Sequence, residues 1–253
     1  MPIAYLRYLT SSQRSQKANS HLAGFLAFIA GATNAGGFLA VAQYTSHMSG
    51  IVSSMADHIA IGEFALMLAA VGALMSFLGG AATSAIMINW ARHRNLRSEY
   101  ALPLVLEAIL LVCFGMLGGS MQSHKWLFAP MTVSLLCFVM GLQNAMITKL
   151  SRAEIRTTHV TGMITDIGIE LGKLLYWNRR HPGLDWQYVH ANRSRLQQLS
   201  VLVALFFLGG VVGALGFKHV GYIATLPLAA LLLGLAVVPL MDDAVTRLRR
   251  PRL

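Results

Sequence analysis

The sequence predicts an all-α polytopic membrane protein, with six transmembrane helices in two inverted three-helix repeats, each carrying a re-entrant or short helix. Three observations carry this expectation: a deficit of charge, six long apolar runs, and a polar hexamer that occurs twice.

Only 12% of the 253 residues are charged, 55% are hydrophobic, and the mean hydropathy is +0.58. A soluble domain carries about 25% charged residues, so much of this surface is expected to face lipid. The net charge of +10 would suggest nucleic acid in a soluble protein. Here the basic residues fall between apolar runs, where membrane topology asks for them, and no nucleic-acid partner is expected. Cys113 and Cys137 lie inside such runs and suggest neither a disulfide framework nor a thiolate metal site. The N-terminal stretch M-P-I-A-Y-L-R is polar and basic without a cleavage signature, and the first apolar run is too long for a signal-peptide core.

The six spans are read at roughly 21–43, 64–89, 101–119, 127–148, 199–217 and 221–240. Each approaches the roughly 20 helical residues that a hydrocarbon core requires. Pro103 and Pro227 stand near the starts of spans three and six, where a missing N–H costs little. With alternating loops, 18 of the 20 basic residues fall on one side, leaving only Lys125 and Lys218 on the other. The positive-inside rule then puts both termini in the cytoplasm. The organisation follows: a cytoplasmic segment 1–20, a first repeat 21–119, an external linker 120–126, a second repeat 127–240 with a cytoplasmic loop at about 149–198, and a basic tail 241–253.

The repeat rests on four landmarks in the same order. Gly31 and Asn34-Ala35 correspond to Gly141 and Asn144-Ala145. The hexamer T-S-H-M-S-G at 45–50 returns as T-T-H-V-T-G at 157–162. F-L-G-G follows at 77–80 and 207–210, and L-P-L at 102–104 and 226–228. Three spans per unit reverse the second unit relative to the first, as in many secondary transporters, whose broken helices meet near the midplane.

Irregular polar backbone survives in a bilayer only where protein or a cavity satisfies it. The hexamers are therefore expected to dip inward, with a short helix beginning at Ser49 or Thr161 and the hydroxyl there capping it. Its N–H groups would favour an anionic or hydrogen-bonding solute. The candidate path residues are Asn34, Thr45, His47, Ser49, Gly50, Asn144, Thr157, Thr158, His159, Thr161 and Gly162. Each has an architectural alternative: a histidine can anchor a turn, a hydroxyl can cap, and a buried amide can pin a loop.

An intramembrane carboxylate is costly and usually functional. Asp166 and Glu170, one helical turn apart, and Glu107 in span three are candidates for binding a coupling proton or sodium ion. The alternative for the first two is pairing with Lys173 or nearby arginines. Gly115/Gly119, Gly168/Gly172 and Gly209/Gly213 make G-x-x-x-G pairs, suited to contact within one chain or between two copies. No zincin, nucleophile-elbow, phosphate-loop or dinucleotide fingerprint is present, and no cofactor or metal is expected. The leading expectation is a transporter or facilitator for an unspecified small polar solute. A structural, assembly or lipid-interacting protein is the alternative, and a membrane-embedded enzyme a more distant one.

In its six-span length, its Gly/Ala-rich first span leading through Asn34 to a turn ending Ser49-Gly50, and its second turn ending Thr161-Gly162 before an amphipathic stretch, the chain resembles the small bacterial membrane proteins of the YoaK type, the DUF1275 family. The family's turns usually carry a T-G pair, often with asparagine beyond, where this chain has Ser49-Gly50-Ile51. The resemblance implies a bacterial cytoplasmic-membrane location. It does not imply a substrate.

Overall fold

The computed structural model describes residues 16–96, 98–121, 125–150, 159–176 and 189–248. Among them are six long and two short α-helices. In chain order these are α1 (Gln16–Val41), α2 (Met48–Ala60), α3 (Phe64–His93), α4 (Ala101–Met121), α5 (Lys125–Leu150), α6 (Val160–Leu175), α7 (Arg193–Val220) and α8 (Thr225–Leu248). A 3-10 turn, Gly221–Ala224, joins the last two. The chain is an all-α, multi-spanning membrane protein. The six long helices coincide with the six expected apolar runs and extend most of them by a few residues.

Among the described residues, five stretches are long and apolar enough to cross a membrane by length and composition. The fifth, Arg193–Asp243, runs through α7, the 3-10 turn and α8. Its 51 residues would be about 75 Å long as one helix, far more than a roughly 30 Å core needs. Gly221, at φ +70°, breaks it where the chain folds back, a backbone setting suited to glycine. Phe114 of α4, Phe217 of α7 and Tyr222 pack around that break, with Phe114 and Tyr222 edge to face at 5.7 Å.

The principal pairings cross the two halves of the chain. α1 packs along α7, α3 along α5, and α4 along α8, while α2 lies on α3 and α6 on α7. Glycine sets the first two of these crossings. A β-carbon on Gly31 would fall on the carbonyl oxygen of Phe206, and one on Gly209 would fall on that of Phe28. In the other crossing, Gly141 meets the carbonyl of Phe77, and Gly80 that of Phe138. Backbones this close suit apolar helix pairs that gain nothing from expelling water and depend on contact.

The contacts shift one expected correspondence. Read by contact, Phe206 and Gly209 stand where Phe77 and Gly80 do, so the F-L-G-G alignment is displaced by one residue. Close backbone approach decides the register, and the second copy offers two adjacent glycines and two adjacent phenylalanines from which the packing selects. Of the G-x-x-x-G pairs, Gly209/Gly213 meets α1 within the chain, while β-carbons at Gly168 and Gly172 would meet nothing within 4 Å.

The main core joins Leu22, Leu26 and Ile29 of α1 with Leu104 and Leu111 of α4, Met140 and Met146 of α5, Leu202 of α7 and Leu232 of α8. A polar clamp closes one end of the bundle. Ser98, between α3 and α4, donates from its backbone N–H and its hydroxyl to Asp243 Oδ2 of α8, at 2.9 and 2.5 Å.

Candidate functional site

The two hexamer turns open on the same cavity. Its volume is about 760 Å³, and it is lined by Asn34, Tyr44, Ser46, His47, Met48, Ser49, Phe77, Asn144, His159, Val160, Thr161 and Phe206. Five pairs face it from the two halves: Asn34 with Asn144, His47 with His159, Met48 with Val160, Ser49 with Thr161, and Phe77 with Phe206. Residues more than a hundred positions apart are brought together because α1 and α5 carry the asparagines while the crossings hold Phe77 and Phe206 beside them.

The short helices begin one residue earlier than expected, at Met48 and Val160, with His47 and His159 in the N-cap positions. Neither histidine makes a side-chain capping bond. Ser49 and Thr161 therefore do not cap. Ser49 Oγ instead lies 3.1 Å from His47 Nε2. The imidazole folds over the first turn of its helix, and this accounts for the glycine of each hexamer. A β-carbon on Gly50 would stand 2.5 Å from His47 Nδ1, and one on Gly162 would collide with His159 Nδ1. Gly50 and Gly162 thus seat the rings rather than line the cavity.

Asn34 is nine-tenths buried, and its Oδ1 accepts a 3.0 Å hydrogen bond from Ser46 Oγ. Thr45 faces elsewhere. It is fully buried, away from the lining, with Oγ1 3.7 Å from the position of a β-carbon on Gly37 and no hydrogen-bond partner among the described residues. The residue of this turn that lines the cavity beside His47 is its neighbour Ser46. Thr157 and Thr158 lie outside the described residues.

The three acids divide. Asp166 Oδ2 accepts from Arg195 Nη2 at 2.9 Å. Glu170 Oε1 accepts from Lys173 Nζ at 2.9 Å, and its Oε2 from the backbone N–H of Asn192 at 2.7 Å. The Lys173 bond leads in holding the Glu170 carboxyl below the usual carboxylate range, and the Asn192 N–H adds to it. Neither acid lines the cavity; they fasten α6 to the segment that begins α7. Glu107 of α4 is fully buried, and neither of its carboxyl oxygens has a hydrogen-bond partner among the described residues. Ser84 Oγ on α3 is likewise buried and without a partner among the described residues. Gln143 on α5 donates from Nε2 to the Leu26 carbonyl at 3.2 Å, while its Oε1 has no partner among the described residues.

Six lining residues escaped the sequence reading: Tyr44, Ser46, Met48, Phe77, Val160 and Phe206. Ser46 sits inside the repeated hexamer and Phe77 opens a repeated tetrapeptide, so the repetition itself held a signal. Among the described residues no three His, Cys, Asp or Glu side chains come together as a metal site. None of the curated proteins compared matches the chain, and none of the solved structures does. A family model described as a protein of unknown function does match, over residues 22–238, and the chain belongs to that family, DUF1275.

Proposed function

We propose that this chain is a small secondary transporter or facilitator, with the cavity between the hexamer turns on the path of a small polar solute. The observation that carries this reading is the convergence of both turns, with Asn34 and Asn144, on one cavity. Polar side chains are gathered there in pairs inside a bundle otherwise built for lipid. The reading includes six spans in two inverted units. It is supported by the reciprocal crossings, in which α1 meets α7 and α5 meets α3 through the same Gly–Phe contacts. The distribution of Lys and Arg supports cytoplasmic termini in a bacterial inner membrane.

Coupling, where it exists, falls to Glu107 in this scheme. Asp166 and Glu170 already hold basic partners, whereas neither carboxyl oxygen of Glu107 has a hydrogen-bond partner among the described residues. The path is tested by filling it. Asn34→Leu and Asn144→Leu put apolar bulk where the amides stand. Each is expected to abolish uptake of small polar solutes by proteoliposomes while the protein elutes as a folded species. Uptake undiminished in both would sink the assignment.

A further inference from the structure

The cavity's chemistry selects among solutes. We propose that it receives a small anion bearing a single negative charge, an inference that rests on the path reading above and names its solute class.

The first support is the pair of helix N-termini. α2 has 13 residues and α6 has 16, and the first turns of both line the cavity. Each N-terminus carries roughly half a positive charge from its aligned peptide dipoles. Two facing one space match about one anionic charge. A capping side chain would quench this field by accepting from the first N–H groups. Both N-caps are histidines that make no such bond, so neither N-cap side chain takes up the donors of its first turn.

Asn34 is an independent indication. Its side chain lines the cavity although the residue is nine-tenths buried. Ser46 donates to its oxygen, and no bond from its amide nitrogen is made among the described residues. With one of the oxygen's two lone pairs taken and both N–H donors uncommitted, the amide offers the cavity more donor than acceptor capacity.

The third support is what lines the rest. No Asp, Glu, Lys or Arg is among the lining residues. Among the described residues, then, no lining carboxylate repels an anion and no lining cation traps one. Attraction by dipoles and amide donors alone suits a site that must release its solute, while Tyr44, Phe77 and Phe206 supply its aromatic wall.

The test uses the full chain in liposomes. Potassium nitrate and potassium methanesulfonate, which stay charged at any working pH, are offered with valinomycin to carry the countercharge. Glycerol and erythritol are offered as neutral probes in parallel. Anion entry well above that of protein-free vesicles is expected. Asn34→Asp, which still accepts from Ser46 but sets a negative charge at the donor position, is expected to cut that entry by about tenfold or more. Asn144→Asp is the second variant should the first not fold. If glycerol or erythritol enters and neither anion does, the anion assignment falls and the path stands. If no probe enters, both fall. Anion entry equally fast in folded Asn34→Asp and Asn144→Asp would place the anion elsewhere and overturn the proposal.

Discussion

The imidazole of His159 occupies the space that a side chain at Gly162 would need, and His47 stands in the same relation to Gly50. In each hexamer the glycine and the histidine act as a unit. Gly50→Ala and Gly162→Ala are therefore expected to swing the rings off the first helical turn. Gly50→Ala also breaks the Ser49–His47 hydrogen bond, worth about 1 kcal/mol. Flux should suffer more than thermal stability. Gly168→Ala and Gly172→Ala on the same face-free stretch of α6 meet nothing, and should gain up to about 1 kcal/mol from helix propensity. Parallel melting and uptake measurements on the four variants check both halves of this contrast.

At the helix crossings the obstruction is backbone, which cannot rotate aside. Gly31→Ala, Gly141→Ala, Gly80→Ala and Gly209→Ala each drive a methyl group into a carbonyl of the facing helix. A loss of about 1–3 kcal/mol each is expected from overpacking. Gly72→Ala and Gly234→Ala, where a β-carbon would meet open space, should be neutral or stabilising. Equal melting temperatures for the two sets would contradict the crossing geometry.

Glu170 gives a pH dependence with a definite sign. Its carboxyl is held below the ordinary range chiefly by Lys173 and then by the Asn192 N–H. A group with a lowered folded-state value contributes stability in full above its unfolded value, and loses that contribution as pH falls through the folded one. The junction of α6 with the start of α7 should therefore loosen as pH drops below the normal carboxylate range. Glu170→Gln should show the looser junction at neutral pH and a flatter acid limb. Hydrogen exchange at residues 189–196 across that pH range reads it directly.

Glu107 makes opposite demands on stability and function. Leucine in its place removes two buried oxygens without partners among the described residues, and is expected to raise stability by about 1–3 kcal/mol. The same change, and the isosteric Glu107→Gln, should erase any proton or sodium dependence of flux. A variant that melts later yet remains fully ion-coupled would show that coupling resides elsewhere.

Much of this architecture could be read from the chain because hydropathy acts locally. Six long apolar runs became six long helices, and the polar hexamers marked the two short ones. What could not be read was anything decided by a partner far along the chain. That α1 would lie on α7 and α5 on α3 depends on backbone contacts at Gly31, Gly209, Gly80 and Gly141, and glycine abounds in these runs. The start of each short helix was misjudged by one residue because capping preferences favour a hydroxyl, while the structure places histidine there without a cap bond. That Ser46 lines the cavity was not legible because a turn's sequence does not state which of two adjacent hydroxyls points inward. The aromatic walls needed the crossings before Phe77 and Phe206 could be set beside the asparagines.

The reciprocal pairing of helices bears on how the protein is made. α1 ends at Val41, and its principal partner α7 begins at Arg193. At ordinary translation speeds the ribosome needs roughly 10–30 s to cover that interval. Throughout it, Gly31 has only lipid against the surface that will later meet Phe206. α3 waits less, because α5 follows soon after. The first half can thus be threaded into the bilayer on its own, but it has no finished fold to adopt there. Assembly is an event of the complete chain, in which the late-arriving half closes around helices already in place.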